Sequence, residues 1–229
     1  MYEISMQLPF DVYHVQGKLS LPVKAQNLII FSHGHGRSML MPHEHRLAIA
    51  FQQQGFGTLV FDTLDNHENI PEESIDIELL SKGLHTSTNW LYNHSEYHSL
   101  NLAYFGFGTG AAAALKAASE LGDKIKAVVS MGGRLDLVKA ELSEVQCPTL
   151  LIAGELDFKS VQMNQKALPK LKVEKQLAVV PGASHLFEEP DKLNKAANIA
   201  ASWYKKYLMP EELKSDKDIS KKTPVQSEI

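Results

Sequence analysis

The sequence predicts one α/β domain: a mostly parallel sheet of about eight strands with helices on both faces. Three observations carry that reading. Short β-type runs alternate with helical ones, the pattern of a sheet whose crossovers are helices. The 229 residues suffice for one sizeable core and fit one domain better than two. Hydrophobic and charged contents of 44% and 22% are those of an ordinary water-soluble chain.

The elements follow in order. Residues 2–8 and 12–19 read as two opening strands, a hairpin or meander. Residues 27–32 form a buried strand that ends in the Gly-rich His33-Gly34-His35-Gly36. A helix over 40–54 is closed by Gly55, a good C-terminal signal. Residues 58–62 are the next strand, and a polar loop runs from there through Pro71. From Glu73 to about Asn93, Ile75, Leu79, Leu80 and Leu84 recur at helical spacing. Strands are expected at 100–105, 126–131, 149–153 and 174–180, with helices at 110–121, 135–142 and 160–168 between them. A final helix over 190–207 places Leu193, Ala197, Ala200 and Tyr204 on one face. Trp90, Tyr92 and Trp203 read as packing residues. The charged run 211–229 has almost no apolar residues and reads as a solvated, disordered tail, so the domain is expected to span 1–208 and the tail 209–229.

Bulk properties narrow the partners. A net charge of −4 gives no reason to expect nucleic acid or an anionic membrane. No apolar stretch approaches the ~20 residues that span a bilayer. Cys147 alone cannot form an intramolecular disulfide, and it precedes an apolar run, so it reads as a small core residue. With no basic-then-apolar leader at the start, the cytoplasm is the expected compartment. A small-molecule ligand is the expected partner; the oligomeric state is left open.

Chemistry is expected at three strand ends, where ligands bind in open α/β sheets. In Phe105-Gly106-Phe107-Gly108-Thr109-Gly110, a strand enters a tight turn and leaves as an Ala-rich helix. That is the layout of a nucleophile elbow, whose middle residue must be Ser or Cys. Here it is Gly108, so the nucleophile position is vacant. The second strand end runs into Gly154-Glu155-Leu156-Asp157, and the third into Pro181-Gly182-Ala183-Ser184-His185. The chain order is therefore elbow, acid, base.

These segments, with Phe31 to Gly36, Gly55 to Asp62 and Val128 to Arg134, resemble the α/β-hydrolase superfamily. Within it the chain is similar to the dienelactone-hydrolase-like group, which has no large lid domain. The resemblance implies His185 as general base and Asp157 as the group that orients it. It also implies the backbone N–H groups of His35 and Thr109 as oxyanion-hole donors. Gly34 and Arg134 are candidate substrate contacts, although Arg134 with Asp136 also reads as a local salt bridge. The nucleophile does not carry over.

The expected function is a pseudo-hydrolase that binds a small carbonyl or carboxylate compound, or a protein partner, in the old cleft. The alternative is an atypical hydrolase of small esters or lactones. It would use a water activated by His185, the hydroxyl of Thr109, or a metal held by His33, His35, His43 and His45 with His67 and Glu68. Because His-x-His pairs recur by chance, no metal site and no cofactor are assigned. Asp157 and His185 also read as an inherited pair that merely hydrogen-bonds. A dinucleotide-binding module is the minor alternative, since Gly106-x-Gly108-x-x-Ala111 satisfies the relaxed fingerprint. Against it, the turn lies on a middle strand and the next strand ends without an acid for the ribose.

Overall fold

The computed structural model describes residues 2–10, 13–33, 42–61 and 76–209. In these, eight strands form one sheet in the order β1-β2-β4-β3-β5-β6-β7-β8. β1 (Tyr2–Phe10) and β2 (Tyr13–Leu21) form an antiparallel hairpin, and β2 is also antiparallel to β4 (Gly57–Phe61). All remaining pairings are parallel. They join β4, β3 (Asn27–His33), β5 (Asn101–Phe107), β6 (Ile125–Met131), β7 (Thr149–Gly154) and β8 (Lys175–Val180) in that order.

Both faces are covered, as the unbroken apolar runs of β3 and β5 require. α1 (Pro42–Gln53) and α5 (Lys192–Leu208) lie on one side, where Leu47, Phe51 and Tyr204 pack with Ile29, Phe31 and Phe105. α2 (Ile77–Asn93) and α3 (Thr109–Leu121) lie on the other, where Leu84 and Ala113 pack with Leu28, Ile30 and Tyr104. α4 (Phe158–Ala167) follows β7 and adds Ala167 to that second core. The expected stripe of α5, Leu193, Ala197, Ala200 and Tyr204, is buried. The Tyr204 hydroxyl donates to the Tyr104 carbonyl at 2.8 Å, so a large buried side chain leaves no polar atom orphaned.

Two expectations need correction. The helix expected at 135–142 is instead two 3₁₀ turns, Leu135–Leu137 and Glu141–Glu144. Leu135, Val138 and Leu142 are buried as a helix would bury them, but Val138 sits at φ −130°, ψ 39° and breaks the spiral. Apolar residues three and four apart mimic helical periodicity when successive tight turns drop them into one core. Tyr92 is 45% exposed rather than packed, with the Lys124 ammonium 5.2 Å from its ring centroid. The start expected for α2 at Glu73, and the tail 210–229, lie outside the described residues. Within them, Asp76 caps α2 by accepting from the N–H groups of Glu78 and Leu79. Among the described residues no helix is long and apolar enough to cross a membrane.

Cys147 is buried in the α2/α3 core, and burial pushes its thiol up to about 12. The thiolate is the reactive form. A neutral thiol reagent added to the folded protein at pH 7 should therefore leave Cys147 unmodified, with one equivalent reacting on unfolding. Rapid labelling of the native chain contradicts this.

Candidate active site

The elbow forms because β5 must pass directly into α3 across a very close contact. A Cβ added at Gly106 would lie 2.4 Å from the Ala111 Cα, so only glycine lets the helix settle on the strand. Ser32 and Ser130, beside Gly106 in the register of β3 and β6, are small and buried, and they extend that shallow seat. This contact accounts for the first glycine of the fingerprint-like pattern without any nucleotide. Gly108 then turns the chain at φ 54°, ψ −123°, a conformation L side chains rarely adopt. The turn is pinned to the end of β6: the Gly108 N–H donates to the Met131 carbonyl at 3.1 Å, and the Arg134 N–H donates to the Gly108 carbonyl at 3.1 Å. Position 108 thus has the backbone of an elbow.

The loops after β7 and β8 are fastened to each other. The Leu156 N–H donates to the Ala183 carbonyl at 2.9 Å, and the Gly182 N–H donates to the Glu155 carboxylate at 2.7 Å. At Gly154 a Cβ would sit 2.3 Å from the Ser184 carbonyl oxygen, so glycine sets the spacing of the two loops. Asp157 does two jobs at once. Its Oδ1 accepts from the Ser160 N–H at 3.0 Å, capping α4, while its Oδ2 lies 2.6 Å from His185 Nδ1. The cap fixes the carboxylate before it meets the imidazole. An ionised Asp157 accepts, which places the proton on Nδ1 and leaves Nε2 as the basic nitrogen.

The His185 ring lies beside the elbow. Its centroid is 5.3 Å from that of Phe107, the residue before Gly108, and a Cβ at Gly132 would come within 3.1 Å of its Cε1. The His185 side chain is 42% exposed and that of Asp157 is 18% exposed, so the imidazole borders solvent while the carboxylate is screened. Such an arrangement can take a proton from a nucleophile or water at the mouth of the elbow.

The other expected residues are placed as follows. Thr109 is the first residue of α3 and 1% exposed. Arg134 donates twice to Asp136, Nε to Oδ1 at 2.9 Å and Nη2 to Oδ2 at 3.0 Å, which is the local salt bridge. That guanidinium holds the Asp136 carboxyl below the usual carboxylate range. Gly34, His35, His67 and Glu68 lie outside the described residues. His33 ends β3, and His43 and His45 lie on α1, the His43 ring 4.8 Å from Phe107. Among the described residues no group of three His, Cys, Asp or Glu side chains is arranged to hold a metal.

Sequence reasoning missed Glu189. Both of its carboxylate oxygens accept from the Ser184 N–H at 3.0 Å, tying down the residue before His185. The signal was present as an acid seven residues after Gly182, but nothing in one sequence separates it from Glu188. Those donors hold the Glu189 carboxyl below its ordinary 4.5. Its contribution is complete above that value and is lost as pH falls through the lowered one. Melting between pH 7 and about pH 3 should fall more for the parent than for Glu189→Gln, which starts lower at neutral pH. Equal acid limbs would contradict the clamp.

Residues 15–211 match the model of the dienelactone hydrolase family. The crystal structure of a dienelactone hydrolase from Anabaena variabilis is 38% identical, with a TM-score of 0.85, covering 90% of this chain and 98% of that one. A serine hydrolase without a lid from Xanthomonas campestris is 20% identical at a TM-score of 0.71, over 91% and 96% of the two chains. At that identity the likeness shows the fold alone. Two proteins from strains of Mycobacterium tuberculosis, each described as "Putative phosphoribosyl transferase", are 41% identical over 195 residues. The match covers 85% of this chain but 44% of theirs, so the chain spans less than half the length of those relatives.

Proposed function

The chain belongs to the dienelactone hydrolase family, and from that premise we propose that it is a pseudo-hydrolase. Its cleft binds a small carbonyl or carboxylate compound without the covalent step. The observation that carries this reading is glycine at the elbow, φ 54° and ψ −123°, beside an oriented Asp157–His185 pair. The backbone is shaped to present an attacking oxygen, and no side chain is there to supply one. Losing the serine of a comparable triad costs about six orders of magnitude in rate. What remains is a cleft with donors suited to a carbonyl oxygen. The backbone N–H groups of Thr109 and His35 are the proposed donors, and Gly34 and Arg134 the proposed ligand contacts. The phosphoribosyl transfer named in the description of the Mycobacterium tuberculosis relatives is not carried over, because more than half of each relative lies outside the shared span.

A panel of short-chain p-nitrophenyl esters tests the reading. The parent should show no turnover above buffer that depends on His185. The 2.6 Å contact between Asp157 and His185 favours one competing reading, slow hydrolysis by a water activated at Nε2. In that case the parent turns over slowly and His185→Ala abolishes it. Turnover that survives His185→Ala but stops with a chelator would point to a metal and defeat both readings.

A further inference from the structure

Among the described residues β1 is the outermost strand of the sheet and no strand pairs with its outward edge, although the Ser87 hydroxyl of α2 donates to the Pro9 carbonyl at 2.7 Å near its far end. The strand runs for nine residues, against roughly 5–6 for an ordinary strand. Natural edges are blunted by lysine, proline, bulges or shortness. Between residues 2 and 8 the one charge is Glu3, and Lys18 of β2 holds it at 3.1 Å; Pro9 lies at the far end. Phe10 pairs with Tyr13, so the even residues of β1 are the hydrogen-bonded partners of β2. The N–H and C=O groups of Glu3, Ser5 and Gln7 therefore point away from the sheet. On the even face Tyr2 and Ile4 are 67% and 41% exposed, while Leu8 is fully buried.

We propose that β1 pairs antiparallel with β1 of a second copy of this chain, about a twofold axis through Ser5. Ser5 then meets its counterpart, and Glu3 meets Gln7 in both directions, so all three outward pairs of donors and acceptors are matched. On the even face Ile4 opposes Met6 and Tyr2 opposes Leu8. Apolar meets apolar, polar meets polar, and the exposed Tyr2 and Ile4 are covered. The neighbouring registers are poorer. An axis through Met6 sets Pro9, which has no N–H, opposite Glu3. One through Ile4 leaves Gln7 without a partner inside the strand. The sequence of the edge is thus self-complementary about one residue, which selects a second copy over an unrelated chain.

Light scattering on a size-exclusion column tests this with the full chain. At high micromolar concentration the mass should approach twice 25.5 kDa. Ser5→Pro removes an outward donor and no bond to β2, so it should stay monomeric with the parent's melting temperature. Cysteine variants read the register, since Cys147 is buried and silent. Under mild oxidation Ser5→Cys should form a covalent dimer alone. Glu3→Cys and Gln7→Cys should do so only when mixed. A parent that remains monomeric overturns the proposal, as does a dimer indifferent to Ser5→Pro or cross-linking equal at all three positions.

Discussion

Replacing Gly108 by serine is expected to give this chain an esterase activity that depends on His185. Gly108→Ser should raise turnover of a short-chain p-nitrophenyl ester by at least about 100-fold over the parent, and His185→Ala in the same background should remove the gain. The physical basis is that the turn at position 108 and the Asp157–His185 pair are already in place. The elbow angles are φ 54° and ψ −123°, Phe107 and Gly132 hold the imidazole beside the turn, and Asp157 Oδ2 orients it at 2.6 Å. The substitution has a cost. A non-glycine residue in that conformation is strained by roughly 1–3 kcal/mol, so melting should fall by several degrees for a domain of this size. Gained activity with lost stability is the signature. A variant that melts at the parent's temperature would show that the turn had relaxed away from the elbow shape.

The second large effect is expected at Gly154, which touches no ligand. Its Cβ would lie 2.3 Å from the Ser184 carbonyl oxygen and 2.4 Å from that of Ala183. Both are backbone atoms, so no rotamer change makes room. Gly154→Ala must push the base loop off the acid loop, against the bonds from Leu156 to Ala183 and from Glu155 to Val180. Overpacking of this kind costs about 3 kcal/mol, which lowers melting by about 6–12 °C. It also separates His185 from Asp157. Placed in the Gly108→Ser background it should cut the acquired turnover by about 100-fold, the usual cost of a 1 Å misplacement. Gly55→Ala is the control: nothing lies within 4 Å of its Cβ, so strain at φ 91° acts there without any contact to the site. It should reduce stability and leave the acquired turnover intact.

These two glycines also mark how far the sequence could be read. The elbow was legible because its parts are local: strand, tight turn and Ala-rich helix lie within one stretch of chain. The order of acid and base was legible because each ends its own strand. The role of Gly154 was not, since it depends on a loop about thirty residues downstream whose approach no periodicity encodes. Asp157 as helix cap was hidden for the opposite reason: a carboxylate assigned to chemistry drew attention from the turn it also closes. The two cores were visible in Ile29, Phe31, Leu28 and Ile30, which alternate between faces that are both covered. The segment 135–142 misled because turns and helices can bury the same spacing.

Intact-mass spectrometry after incubation with a fluorophosphonate, which bonds irreversibly to an activated hydroxyl, puts the vacancy at position 108 to the test most directly. The parent should gain no mass, and Gly108→Ser should gain one adduct that peptide mapping assigns to position 108. A single stoichiometric adduct on the parent, at Thr109 or any other hydroxyl, would mean the attacking oxygen was never lost.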